Sequence, residues 1–161
     1  NIRMPFYDYS SPGLYFITIC TADKKTLFSN IVGAYHDAPV QTELTEYGKI
    51  VEEIILFLPT RFKVSIENYV IMPDHIHLLL EINDYDRAIR ESPLQSRSIL
   101  SSCIGFLKAD ATKKIRKINP DIKVWQRSYM EHLIRNQKDY EKHYLYIEDN
   151  PVSWILGRHT V

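Results

Sequence analysis

Two histidines, His75 and His77, sit one residue apart in the apolar run YVIMPDHIHLLLEI, and far downstream the segment KDYEKHYLYIEDNP carries several tyrosines and an asparagine. On a β-strand, residues i and i+2 point to the same face, so His75 and His77 converge while Ile76, Leu78 and Leu80 point to the other. Two imidazoles about 7 Å apart at Cα can both reach one divalent cation, and a carboxylate or amide from another element can complete the site. The same spacing also suits two half-buried histidines hydrogen-bonded to their neighbours, and H-x-H alone leaves both readings open. The H-x-H-x-D-H pattern of binuclear zinc hydrolases is excluded, because Leu78, Leu79 and Leu80 stand where its later ligands would be.

In the downstream segment, helical spacing sorts the tyrosines. Tyr146 lies four residues before Asn150 and three after His143, so these three share a helix face. Tyr140, Tyr144 and Ile147 fall on another stripe, with the spacing of a packing seam. Tyr146 is therefore the candidate hydroxyl, and the Asn150 amide oxygen is a candidate partner for a cation held by His75 and His77. Asparagine before proline is also a common helix terminator, and tyrosines on helices usually pack, so this segment alone does not decide.

The elements that must position these residues are read from periodicity. GLYFITICT, residues 13–21, alternates as a first strand. Apolar residues from Leu44 to Leu58 recur at helical spacing over 42–58, and Pro59 is expected to end that helix. Residues 62–71 and 75–82 form a hairpin around Met72, Pro73 and Asp74, whose types suit a turn rather than a ladder. Residues 84–96 are polar and irregular. A second helix is expected from Ile99 to about Ile118, stopped by Asn119 and Pro120. A further strand or strand pair is expected over 124–134, then a last helix over 137–149 ended by Asn150 and Pro151. The order βαββαβα predicts an α+β, ferredoxin-like sandwich: an antiparallel sheet of about four strands with helices on one side and a C-terminal helix carrying the candidate tyrosine.

The chain has 161 residues, 45% hydrophobic and 25% charged, as expected of one globular domain over 1–161. No apolar run is long enough to span a membrane, and nothing resembles a signal peptide. Cys20 and Cys103 are far apart with no CxxC pairing, which excludes a zinc-thiolate site and a disulfide framework and makes the cytoplasm the expected compartment. The formal net charge is zero, yet residues 95–138 hold ten Lys and Arg against three Asp and Glu. Such a segment can face phosphates or be a solvated helix face. Trp125, Arg127 and Tyr129 combine rings and a cation and can stack on or pair with a single strand, or pack at a strand edge.

MPDHIHLLL followed by WQRSYMEHLIRNQKDYEKHYLYIEDNPV, with YDYSSPGLYFITICT ahead of both, resembles the REP-associated tyrosine transposases of the HUH single-tyrosine transposase superfamily. The resemblance runs from Tyr7 to about Trp154 and departs in the neutral overall charge, since many members are basic. It implies that Tyr146 is the nucleophile and that His75, His77 and Asn150 hold a divalent cation, Mg²⁺ or Mn²⁺. It further implies cleavage and joining of single-stranded DNA or DNA hairpins through a 5′-phosphotyrosine link, by a monomer or homodimer, in the cytoplasm and on the nucleoid when bound to DNA. Lys113, Lys114, Arg116, Lys117, Trp125, Arg127 and Tyr129 are the candidate DNA contacts. Two other readings remain: a domesticated DNA-binding module without cleavage, and a metal-dependent phosphodiesterase that uses water.

Overall fold

The computed structural model describes residues 13–33, 39–82 and 93–157, with the side chains of 93–98 excepted. Strand β1 (Leu14–Cys20) is followed by a short 3₁₀ turn, a hairpin of β2 (Ser29–Val32) and β3 (Gln41–Leu44), and helix α1 (Glu46–Arg61). Then come β4 (Val64–Ile71), β5 (His75–Ile82), α2 (Pro93–Ile115), β6 (Met130–Leu133) and α3 (Gln137–Ile155). The main sheet has the order β4-β5-β1-β6 and is antiparallel throughout. This is the expected α+β architecture, with the two long strands of the central hairpin joined by Met72, Pro73 and Asp74.

The two sides of the sheet follow from the period-two alternation. Tyr15, Ile17 and Ile19 of β1 join Ile76, Leu78 and Leu80 of β5 in a core with α1 (Val51, Ile54, Ile55, Leu58) and α2 (Leu100, Cys103, Ile104, Leu107, Ala111). The opposite side is covered by α3, whose Tyr140 and Ile147 are buried against Leu14, Leu79 and Ile134, with Tyr144 packed beside them. Tyr140 and Tyr144 thus form the packing seam that their spacing suggested. An Asn68 to Glu148 hydrogen bond of 2.8 Å further ties α3 to β4.

Five boundaries differ from expectation. The first helix does not begin near Thr42: residues 41–44 pair with β2, and Thr45 caps α1 by accepting from the Gly48 N–H at 3.1 Å. Leu44 lies in helical phase with Tyr47 and Val51, which hides the short strand. A Cβ at Gly48 would run into the Phe28 carbonyl, so glycine is required where α1 starts against the chain leading into β2. Pro59 does not end α1, because in the last turn its ring frees only the Ile55 carbonyl. Pro151 likewise lies inside α3, and that helix continues to Ile155. Of residues 124–134 only Met130–Leu133 form a strand, while Trp125 makes an isolated bridge to Thr21. Helix α2 starts at Pro93 rather than near Ile99, inside the stretch 84–96 expected to be irregular, which lies outside the described residues as far as 92, as do residues 7–12 of the amino-terminal motif.

Candidate active site

Strand register brings the site together before any helix is considered. Thr18 of β1 stands opposite His77 of β5, and Cys20 opposite His75. On its other edge β1 pairs with β6, placing Phe16 opposite His132 and Thr18 opposite Met130. His75, His77, Phe16, Thr18 and His132 therefore share the sheet face that α3 covers.

Both histidines are buried, at 0% and 1% exposure. Each is held by one nitrogen. The His75 Nδ1–H donates to the Asp74 carboxylate at 2.6 Å, since a carboxylate oxygen accepts. His77 Nδ1 lies 2.9 Å from the Thr18 hydroxyl. Their rings are 4.6 Å apart, edge to face. Burial, reinforced by the neighbouring His75, drives the His77 pKa down to about 2 against a weaker opposing pull from a backbone hydrogen bond at Ile17. At neutral pH His77 is thus an uncharged imidazole, the form that ligates a cation.

Tyr146, Asn150 and Trp154 are spaced i, i+4, i+8 along α3, so they form one stripe. Tyr146 meets His77 edge-on at 5.2 Å between ring centroids, and Trp154 lies 6.2 Å from His75. Asn150, between them and 1% exposed, is thereby set over the histidine pair. Its Nδ2 donates to the Tyr146 carbonyl at 3.4 Å, which directs the other amide atom, Oδ1, elsewhere.

Three buried atoms of this group have no hydrogen-bond partner among the described residues: His75 Nε2, His77 Nε2 and Asn150 Oδ1. Leaving a buried polar atom unsatisfied costs about 1–3 kcal/mol each, so three gathered between the sheet and α3 call for a ligand. Two imidazole nitrogens and an amide oxygen suit a divalent cation, and the Asp74 carboxylate behind His75 is the outer hydrogen bond that such ligands characteristically have. The residues present fit a metal ion. Asp74 and Thr18 were missed in the sequence reading; Asp74 was legible as the polar neighbour of His75, whereas Thr18 needed the register.

An open cavity of about 510 Å³ adjoins His77 and Tyr146, walled also by Phe16, His132, Lys142 and His143. Phe16 is its centre, stacked 5.0 Å from His77, 4.6 Å from His143 and 5.8 Å from Tyr146. Behind it, Asp139 accepts from the His132 ring at 2.9 Å, from the Arg135 N–H at 3.1 Å, and lies 3.2 Å from His143 Nδ1. Burial alone would raise the Asp139 carboxyl, but the hydrogen bonds from His132 and Arg135 and the nearby His143 carry it below its usual value. Burial lowers the His143 pKa, over the opposing pull of Asp139.

The candidate DNA contacts divide. A second groove, about 560 Å³, runs between α2 and residues 123–129 and includes Lys108, Arg116, Lys123, Arg127 and Tyr129. Arg116, Lys117, Lys123 and Arg127 are exposed, as is Lys113 on α2. Lys114 instead faces α1, within 3.4 Å of both Glu53 and Asp110. Trp125 corrects the expectation of a stacking ring. It is 7% exposed, packs on Phe28 at 4.9 Å and donates from Nε1 to the Lys108 carbonyl at 3.1 Å. Its indole closes the core under the groove, and the long-range partner Phe28 is invisible to local pattern.

With this architecture in hand, the family described as Transposase IS200 like matches the chain over residues 15–150, and the chain belongs to that family of DNA-cleaving and DNA-joining enzymes. An uncharacterized protein of Haemophilus influenzae is 36% identical over 96% of this chain and 88% of its own length. A second protein of that organism, named as a REP-associated tyrosine transposase, is 31% identical over 91% of this chain and 74% of its own. Among solved structures, a REP-associated tyrosine transposase bound to a REP hairpin superposes with a TM-score of 0.57 at 19% identity, covering 95% of this chain and 74% of that one. A transposase structure from Deinococcus radiodurans R1 gives 0.52 at 14% identity over the full length of both. At these identities the two structures speak for the fold. No helix among the described residues is long and apolar enough to cross a membrane.

Proposed function

We propose that the protein is a divalent-metal-dependent strand transferase acting on single-stranded DNA beside a hairpin, with Tyr146 as nucleophile and His75, His77 and Asn150 as metal ligands. The observation that carries this reading is the set of three unsatisfied buried atoms, His75 Nε2, His77 Nε2 and Asn150 Oδ1, next to the Tyr146 ring. A module that only bound DNA would have no reason to keep them, which counts against the non-cleaving alternative.

Asp74 and Thr18 orient the two imidazoles, and α3 carries Tyr146 and Asn150 to them on one stripe. A bound Mg²⁺ or Mn²⁺ would polarise the scissile phosphate and offset charge on the departing oxygen. Tyr146 Oη attacks phosphorus, the P–O3′ bond breaks, and the protein is left joined to the 5′ phosphate. The phosphodiester energy is conserved in that link, so a second 3′-hydroxyl can reverse the step without ATP. Arg116, Lys123 and Arg127, with Lys113 and Lys117 nearby, hold the DNA backbone along the groove of α2, and Tyr129 at its edge offers a ring for stacking. The cytoplasm, where chromosomal DNA lies, is the place of action.

The test incubates the protein and Mn²⁺ with end-labelled single-stranded DNA hairpins and resolves the products under denaturing conditions. Labelled DNA should stay on wild type and Tyr144→Phe but not on Tyr146→Phe. An adduct that survives Tyr146→Phe would falsify the nucleophile, and cleavage with no adduct at all would point to water as the nucleophile.

A further inference from the structure

We propose that His143 is the proton shuttle for Tyr146, oriented by Asp139 with His132 as that carboxylate's second support. The inference rests on Tyr146 being the nucleophile.

His143 Nδ1 lies 2.8 Å from the Asp139 backbone carbonyl and 3.2 Å from its carboxylate. Both are acceptors only, so Nδ1 carries the hydrogen and the neutral ring keeps its lone pair on Nε2. The tautomer is therefore fixed by two oxygens of one residue. Asp139 is itself immobilised: its N–H donates to the Asn136 side chain at 2.9 Å, and its carboxylate accepts from His132 Nε2 and the Arg135 N–H. The His132 ring stacks on His143 at 4.6 Å and fixes its plane. One helical turn on, Tyr146 lines the same cavity, and both rings contact Phe16. Nucleophile and imidazole thus line one cavity, with the orienting carboxylate on the ring nitrogen opposite the one that would take the proton.

The ionisable groups around His143 are Asp139, Lys142 and Tyr146 of α3, Glu131 and His132 of β6, and His77 of β5. A free tyrosine ionises near pH 10, so at pH 7 its phenol needs a base. In the forward step the Tyr146 Oη–H proton passes to His143 Nε2 as Oη bonds to phosphorus. The P–O3′ bond breaks, and the imidazolium delivers that proton to the departing oxygen, directly or through cavity water. The products are the phosphotyrosine link, a 3′-hydroxyl and a neutral His143. In joining, the incoming 3′-hydroxyl gives its proton to the same nitrogen.

The experiment measures the rate of adduct formation under saturating Mn²⁺ and DNA for wild type, His143→Ala and His143→Gln. Each is made with tyrosine and with a fluorinated tyrosine of much lower phenol pKa at position 146. With ordinary tyrosine, both variants should be slowed about 10²-fold or more. With the fluorinated residue, already ionised at neutral pH, most of that deficit should vanish, which a merely structural role for His143 would not produce. Variants as fast as wild type, or a deficit of equal size with either phenol, would overturn the shuttle while leaving Tyr146 in place. Absence of any adduct in the wild type would overturn both. Should His143→Ala not fold, His143→Gln, which keeps a donor for the Asp139 carbonyl, reads the same contrast.

Discussion

Strands β1 and β5 show the same backbone to two different environments. Toward α1 and α2 they present Ile17, Ile19, Ile76, Leu78 and Leu80, each 0% exposed, in one apolar core. Toward α3 they present Thr18, His75 and His77, at 5% exposure or less, in a layer whose apolar cluster is much smaller. These three residues are about as fully buried as their neighbours on the other side, yet one set is hydrocarbon and the other carries nitrogen and oxygen. The first side supplies stability; the second holds, together with Asn150 of α3, three buried polar atoms that no described residue satisfies.

The sharpest way to break this comparison is to cut the apolar side. Leu78→Ala removes a fully buried side chain from the packed core and should destabilise the protein by about 2–5 kcal/mol in denaturant unfolding. The folded remainder should retain metal binding, because Leu78 points away from His77 and His75. A variant that kept its stability but lost the ion would show that the two faces are not separate systems.

Next in size is metal binding itself. A divalent cation that binds the folded state alone should stabilise by about 2.7 kcal/mol at a hundredfold excess over its Kd, a rise of roughly 5–10 °C in Tm for a chain of this size. His75→Ala and His77→Ala should each abolish the rise. A rise that persists in both variants would move the ion elsewhere, and the cluster of His132, Asp139 and His143, whose ligand atoms lie within 4.8 Å of one another, would be the place to look.

How far these faces could be read in advance depended on the range of the interactions. The strand period put His75 and His77 on one face, and the i, i+4 relation put Tyr146 with Asn150, because both rules act within a few residues. That α3 lies across the histidine face was not readable locally, since it follows from Tyr140 and Ile147 meeting Leu14 and Leu79 from distant strands. The short β2 and β3 hairpin escaped notice because its pairing partners supply no local signal and Leu44 mimics helical phase. Trp125 shows the same limit: its type allows stacking on DNA or packing, and its burial depends on Phe28. Pro59 and Pro151 are cases where local propensity favoured a stop and the packing of the whole helix outweighed it.

An acid titration weighs the polar face against the apolar one without mutating either. His77 has a folded pKa of about 2 against 6.5 for the free ring. Below pH 6.5 the unfolded chain therefore binds a proton that the folded chain refuses, and stability must fall as pH falls. From His77 alone, going from pH 7 to pH 5 in chelator should cost about 2 kcal/mol. The depressed His143 and Asp139 act in the same direction, the latter only as pH nears the carboxylate range. Urea melts at the two pH values check this, with His77→Gln expected to flatten the slope. Stability that held constant between them would mean that the buried ring is readily protonated in place.

The smallest and most discriminating effect compares adjacent residues on one strand. Thr18→Val keeps side-chain shape while deleting the hydroxyl beside His77 Nδ1, and should cost about 1 kcal/mol. Ile17→Val trims one methylene from the opposite face and should cost a similar 0.5–1.5 kcal/mol. Stability measurements will therefore not separate the two variants; metal titration should. Releasing His77 Nδ1 lets the imidazole turn from the orientation that the Thr18 hydroxyl sets, so Thr18→Val is expected to weaken the cation by about tenfold, the lower end of what outer hydrogen-bond partners contribute. Ile17→Val should leave it unchanged. If both variants weakened the ion alike, the two sides of β1 would be coupled through the strand, and the division of labour between them would have to be abandoned.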